Sequence, residues 1–123
     1  MEQTRILIAD DSRTLRTLLR RILVAAEYEV LAASDGAEAV EIFRQEHPSL
    51  VILDIQMPEM DGYSACENIL ALSKPEDDLP IIFLTKDRAT HLAILGKQLG
   101  AYLQKPVCEQ TLLDTVRKLL RSA

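Results

Sequence analysis

The chain of 123 residues carries 14 Lys and Arg residues against 19 Asp and Glu residues, which gives a formal net charge of −5. A chain of this size folds as one domain by default, so we expect residues 1–123 to form a single domain; the 48% hydrophobic content is too high for a disordered protein, and the acidic balance argues against direct nucleic-acid binding. The apolar runs are too short to span a membrane, and the N-terminus lacks the apolar core of a signal peptide, so we expect a cytoplasmic protein.

The predicted elements alternate between strands and helices along the whole chain. Short apolar runs predict strands, and apolar residues at spacings of three and four predict helices. Ser12 is placed to cap the first helix, and Gly100 to close the fourth. The predicted elements, in chain order, are a strand over 5–9, a helix around 15–23, a strand over 28–33, a helix over 37–46, a strand over 50–53, a helix over 63–72, a strand over 81–84, a helix around 92–99, a strand over 101–104 and a helix around 112–120.

Five strands and five helices in this strict alternation predict an α/β sandwich with a parallel sheet and right-handed crossovers. The third strand, LVIL at 50–53, is apolar throughout, as a strand buried on both faces should be.

Cysteine and histidine residues give no sign of a metal site or a disulfide framework. Cys66 and Cys108 are 42 positions apart, without CxxC spacing or nearby histidines. We expect both to be buried or half-buried free thiols, and His47 and His91 to be surface residues.

Polar side chains follow four of the predicted strands at the point where each strand ends. Asp10 and Asp11 follow the first strand, Asp54 the third, Thr85 the fourth and Lys105 the fifth. The carboxyl ends of parallel strands share one edge of the sheet, where ligands bind. Each residue alone would be typical of an ordinary cap or turn, but together they predict one site.

The chemistry of these residues suits a divalent cation and a phosphoryl group. Three close carboxylates repel one another, and a bound cation relieves that repulsion. Oxygen ligands with an incomplete protein shell suit Mg²⁺, whereas Lys105 and Thr85 suit phosphoryl oxygens. Asp54 could then act as a nucleophile toward phosphorus and form an acyl phosphate.

The sequence resembles the receiver domains of bacterial two-component response regulators, and the similarity covers essentially the whole chain. The segments that carry the resemblance are ILIADDS at 6–12, LVILDIQMPEMDG at 50–62, IIFLT at 81–85 and YLQKP at 102–106. The resemblance implies a three-layer (βα)5 flavodoxin-like sandwich with a parallel sheet in the order 2-1-3-4-5.

The resemblance also implies roles for the site residues. Asp54 would accept phosphate from a phosphohistidine on a sensor histidine kinase or a histidine phosphotransfer protein. Asp11, Asp54 and the backbone carbonyl of Gln56 would bind Mg²⁺ directly, and Asp10 through water. The domain would promote only its own phosphotransfer and dephosphorylation, and its output would be conformational rather than enzymatic.

The implied output is a switch. Thr85 and Lys105 would contact the phosphoryl group, and movement of Thr85 would let Tyr102 rotate inward. This would remodel the face formed by the fourth predicted helix, the fifth strand and the last helix, where a downstream effector protein or domain, or a second copy of the chain, would dock. A Tyr102 side chain with its hydroxyl at the surface is the alternative.

The chain departs from the family pattern at several positions. Lys86 stands where the family usually has a small residue, and could crowd the phosphate or contact it. The segment 100–102 is two residues shorter than the common pattern, which alters the start of the fifth strand. Val107 replaces a frequent Phe, and in the family the positions of Gln56 and Asp87 tune dephosphorylation.

Two other functions stay open. A phosphohydrolase with an aspartyl-phosphate intermediate would carry a DxD motif, whereas Asp54 is followed by Ile55 and Gln56. An atypical receiver would bind partners without being phosphorylated. The five site residues argue against it, whereas Lys86 and the shortened segment leave it open. The chain is either a stand-alone regulator or the receiver of a longer protein.

Overall fold

The described strands and helices follow one another in the order that the sequence predicts. The computed structural model describes residues 3–74, 78–86 and 100–122, so the predicted helix around 92–99, the residue Asp87 and the residue His91 lie outside the described residues. The elements are β1 (Arg5–Ala9), α1 (Arg13–Ala25), β2 (Glu29–Ala33), α2 (Gly36–Glu46), β3 (Leu50–Asp54), α3 (Gly62–Leu72), β4 (Ile81–Thr85), β5 (Gly100–Gln104) and α4 (Glu109–Ser122).

The five strands form one parallel sheet in the order β2-β1-β3-β4-β5. In register, Leu7 lies opposite Val51, Leu53 opposite Phe83, and Phe83 opposite Tyr102. The chain reverses its direction across the sheet between β1 and β3, which creates the switch point where α/β folds bind their ligands. The predicted fold class and strand order are confirmed.

The strand side chains divide between two hydrophobic cores, because successive side chains of a strand point to opposite faces. On one face, strand residues such as Ile8, Ile52 and Leu84 pack with α1 and α4. On the other face, Leu53 and Phe83 pack with α2 and α3. Both faces of β1, β3 and β4 are therefore covered, which fixes the strands that carry the polar ends.

Side-chain caps begin three of the helices. Ser12 accepts from the Leu15 N–H at 3.3 Å, as predicted. Asp35 caps α2 and Asp61 caps α3, each accepting a backbone N–H at 2.8 Å. These caps satisfy backbone donors that a helix leaves unpaired, and the caps of α1 and α3 fix the loops that follow β1 and β3.

One of the sequence predictions is corrected by the structure. Cys66 is buried, as expected, and burial raises the pKa of its thiol to about 11, but Cys108 is exposed because it precedes α4 outside both cores. Gly100 is the first residue of β5; the helix that it was expected to close lies outside the described residues. His47 lies on the surface as predicted, in a left-handed conformation directly after α2.

Within the described residues, no helix combines the length and the apolar composition needed to cross a membrane.

Candidate functional site

The polar residues predicted from the strand ends lie at the carboxyl edge of the sheet. Asp10 directly follows β1, Asp54 ends β3, Thr85 ends β4 and Lys105 directly follows β5. The Lys105 N–H donates to the Thr85 carbonyl oxygen at 2.7 Å, which ties the end of β5 to the end of β4. Parallel strands in register therefore bring these residues to one place.

The Lys105 ammonium links two buried carboxylates. Its Nζ lies 3.0 Å from Asp10 Oδ2 and 3.3 Å from Asp54 Oδ2. Asp10 is fully buried and Asp54 is 4% exposed. Charges removed from water in this way require a partner of opposite sign, and Lys105 supplies that partner to both aspartates.

Asp10 is held rigidly but keeps acceptor capacity. Its Oδ1 accepts the Ser12 N–H at 2.8 Å, and Arg16 donates to its backbone carbonyl at 2.6 Å. Its Oδ2 is buried and lies in the ion pair with Lys105, but it accepts no hydrogen bond from the described residues. A buried carboxylate oxygen with spare lone pairs is suited to a further cation or a bound water.

The electrostatic environment of Asp54 disfavours its charged form. Burial raises the pKa of the Asp54 carboxyl, and the Asp10 carboxylate raises it further, while Lys105 and the Gln56 N–H act in the opposite direction. The Gln56 N–H donates to Asp54 Oδ1 at 3.3 Å. Although burial alone would lower the pKa of the Lys105 ammonium, Asp10 and Asp54 raise it, so Lys105 stays charged at neutral pH.

Three carboxylates are close enough to hold one metal ion. Oxygens of Asp10, Asp11 and Asp54 all lie within 4.8 Å of one another, with Asp11 exposed and the other two buried. An all-oxygen set with one solvent-facing ligand fits Mg²⁺, which retains several waters. The spare lone pairs of Asp10 Oδ2 support the same fit. The Gln56 side chain is exposed; whether its carbonyl is a ligand stays a prediction.

A cavity opens beside Asp54. Its volume is about 440 Å³. The lining residues are Asp11, Ser12, Leu15, Asp54, Gln56, Lys86 and Lys105. A larger cleft of about 710 Å³, lined by residues such as Thr4 and Pro80 that precede strands, lies at the opposite edge of the sheet and contains none of the predicted site residues.

Two glycines allow the loop after β3 to pack closely against neighbouring backbone. The sequence had assigned no role to either of them. A Cβ at Gly62 would lie 2.4 Å from the Asp54 carbonyl oxygen, and one at Gly36 would lie 2.2 Å from the Met60 carbonyl oxygen. The Gly62 N–H donates to the Ile55 carbonyl oxygen at 2.9 Å. These close backbone contacts depend on the folded loop, so no local sequence pattern shows them.

Tyr102 lies against the core rather than in solvent. Its ring stacks on Phe83 with centroids 5.2 Å apart, and Tyr63 packs against the same Phe83 ring at 5.4 Å. The hydroxyls of Tyr102 and Tyr63 are both buried, without a hydrogen bond to any described residue. Burial and the neighbouring Tyr63 raise the pKa of Tyr102. The alternative prediction, that the Tyr102 hydroxyl lies at the surface, is wrong for this conformation. The neighbouring Tyr63 was not indicated by the sequence.

Comparison with known proteins identifies the family. The family model described as "Response regulator receiver domain" matches residues 6–117. The chain belongs to this family. The resemblance found in the sequence motifs is therefore confirmed. Receiver domains of this family interact with histidine kinases and effectors.

Curated relatives of this receiver domain include regulators of transcription. A probable transcriptional regulator ycf27 of Porphyridium aerugineum is 40% identical over 123 residues, which are 98% of this chain and 50% of that protein. The response regulator MprA of Mycolicibacterium vanbaalenii is 40% identical over 119 residues, 95% of this chain and 50% of its own. The chain thus spans about half the length of these relatives.

Solved structures share the fold of this receiver domain over nearly the whole chain. The chemotaxis protein CheY4 of Vibrio cholerae has a TM-score of 0.84 and 30% identity, with 96% of this chain and 99% of that chain covered. A putative response regulator of Chloroflexus aurantiacus has a TM-score of 0.84 and 32% identity, with 98% and 99% covered.

Proposed function

We propose that this receiver domain is a Mg²⁺-dependent phosphoacceptor in which Asp54 takes a phosphoryl group from a histidine kinase or a histidine phosphotransfer protein. The single observation that supports this most strongly is the bridge from Lys105 to Asp10 and Asp54 at 3.0 Å and 3.3 Å, beside a third carboxylate at the cavity mouth. A site that only bound partners would gain nothing from burying these charges.

The chemical step is a transfer to a carboxylate oxygen. An Asp54 oxygen attacks the donor's phosphorus, an O–P bond forms, and the bond from phosphorus to the imidazole nitrogen of the donor breaks with its electron pair. The leaving imidazole takes a proton from solvent. Lys105 neutralises charge on the phosphoryl oxygens, and Thr85 supplies a hydroxyl at the end of β4.

Asp10, Asp11, Asp54 and the Gln56 carbonyl would hold the metal ion. When bound, Mg²⁺ supplies positive charge that offsets the negative charge on the transferring group. The exposed position of Asp11 leaves the cavity side open to the phosphodonor. The domain catalyses only its own phosphorylation and hydrolysis, and we expect it to act in the cytoplasm.

The output is proposed to be a conformational switch from Thr85 to Tyr102. Thr85 follows Phe83 by two positions on β4, so both side chains lie on the sheet face that Tyr102 also occupies. A change at Thr85 can therefore reach the Tyr102 ring. The partner is an effector protein or domain, or a second copy of the chain, at the face that includes β5 and α4.

The test is the intact mass of the protein after incubation with acetyl phosphate, with and without Mg²⁺. We expect a Mg²⁺-dependent gain of one phosphoryl group in the wild type and none in Asp54→Asn. Asp114→Asn is the matched control, because it makes the same change at an exposed position on α4. A gain that persists in Asp54→Asn would refute the assignment of the acceptor.

The same samples separate the two alternatives. A phosphohydrolase would release phosphate from a phosphate ester with many turnovers, whereas the proposed receiver would not. An atypical receiver would gain no mass, and its spectra would not change with beryllofluoride, which mimics a phosphoryl group on a carboxylate.

A further inference from the structure

The cavity beside Asp54 has a second cation on its wall. Lys86 directly follows β4, its side chain is exposed, and it lines the same cavity of about 440 Å³ as Asp11, Asp54 and Lys105. The two lysines reach this cavity from the ends of neighbouring strands, β4 and β5. Their environments differ in a way that indicates different roles.

Lys105 is already engaged before any phosphate arrives. Its side chain is 15% exposed and pairs with Asp10 and Asp54. Lys86 makes no ion pair or side-chain hydrogen bond with the residues that the structure describes. Its charge is therefore available to an anion that enters the cavity.

The charges of the site show when a second cation is needed. Without phosphate, the three carboxylates of Asp10, Asp11 and Asp54 would be balanced by Lys105 together with the one divalent cation of the proposed function. A phosphoryl group on Asp54 replaces a single negative charge with nearly two. One negative charge is then left without a partner, and Lys86 is placed to neutralise it.

We propose that Lys86 is a second phosphate-binding residue of this site, whose ammonium contacts the phosphoryl group on Asp54 from the open side of the cavity. This inference rests on the proposed function and adds a residue to it. Because the unphosphorylated site is balanced without Lys86, the residue stabilises the phosphorylated state selectively. It also attracts anionic phosphodonors to the cavity.

The experiment compares Lys86→Gln and Lys86→Arg with the wild type. Lys118→Gln is the matched control, because Lys118 is exposed on α4 and does not line the cavity beside Asp54. The readouts are the affinity for beryllofluoride at saturating Mg²⁺, followed by NMR, the initial rate of phosphorylation by acetyl phosphate, and the Mg²⁺ affinity of the unphosphorylated protein.

We expect Lys86→Gln to lower the beryllofluoride affinity and the phosphorylation rate roughly three- to tenfold, as loss of one charge-assisted contact should. Lys86→Arg should stay within about twofold of the wild type, because it keeps the charge. Mg²⁺ affinity should not fall in any variant. If Lys86 only supported the structure of the site, its replacement would lower the Mg²⁺ affinity as well.

Two results would overturn the role of Lys86. The first is a Lys86→Gln variant that matches the wild type in both anion readouts. The second is an equal loss in Lys118→Gln, which would assign the effect to overall charge. A wild type that neither gains phosphate nor responds to beryllofluoride would instead overturn the proposed function and this role with it.

Discussion

At the scale of single residues, the site places negative charge where the fold makes it costly. Asp54 is 4% exposed and faces the fully buried Asp10, and Lys105 offsets only part of the repulsion. The raised pKa of Asp54 records the net cost. Stability is thus given up at this edge of the sheet to keep a reactive carboxylate in place.

Because the buried negative charge of Asp54 destabilises the folded protein, replacing Asp54 with Asn should increase stability in a pH-dependent way. Since the folded-state pKa of Asp54 is raised, the folded protein binds the proton more tightly, and its stability falls as pH rises through that pKa. Without metal, Asp54→Asn should therefore be more stable than the wild type at pH 7, and this advantage should shrink toward zero as the pH falls below the ordinary pKa of an aspartate, about 4.

Urea unfolding across this pH range, with Mg²⁺ removed by chelation, measures the difference. Asp114→Asn, the same change at an exposed position, is the control. An advantage of Asp54→Asn that is absent at pH 7, or that grows as the pH falls, would show that the charge on Asp54 is not the cause.

At the scale of elements, the loop between β3 and α3 sets the position of Asp54. Gly62 begins α3, its N–H donates to Ile55, and its missing side chain lets the helix start against the backbone of Asp54. Asp61 caps the same helix through the Ser64 N–H at 2.8 Å. The loop is thus fixed at both ends by backbone contacts that depend on small or capping residues.

Adding one methyl group at Gly62 should disturb both stability and the site. A Cβ there would lie 2.4 Å from the Asp54 carbonyl oxygen, so backbone must move. We expect Gly62→Ala to lose about 2 kcal/mol or more of unfolding free energy and to slow phosphorylation by acetyl phosphate. Ser64→Ala, in the same helical turn but exposed, should lose much less. Denaturant unfolding of both variants decides this, and a Gly62→Ala variant as stable as Ser64→Ala would contradict the close packing.

At the scale of the whole molecule, the parallel sheet gathers charge from distant parts of the chain. Asp10, Asp54 and Lys105 come from the ends of β1, β3 and β5. In the sheet, β1 and β3 are neighbours, and β4 separates β3 from β5. The chain as a whole carries a net charge of −5, and three of its carboxylates meet at this edge. A cation bound there should stabilise the entire domain, because the site exists only when the sheet is formed.

Mg²⁺ should accordingly raise the melting temperature of the unphosphorylated protein. At a free concentration about ten times Kd the gain is about 1.4 kcal/mol, or roughly 3–6 °C for a domain of this size. Asp11→Asn should reduce the gain, since it removes the exposed ligand without touching the core. Thermal melts with Mg²⁺ and with Na⁺ at equal ionic strength test this, and an equal rise with Na⁺ would indicate screening rather than a site.

The sequence alone determined the order of the described elements, the parallel sheet and the five polar positions at its edge. Each of these follows from local patterns, namely apolar runs, helical spacing and the residue that ends each strand. Only the tertiary structure decided that Lys105 bridges Asp10 and Asp54, that Gly62 must lack a side chain, that the Tyr102 hydroxyl is buried near Tyr63, and that Cys108 is exposed. These facts concern contacts and burial among residues from different parts of the chain. They are set by sheet register and loop packing, which no local pattern encodes.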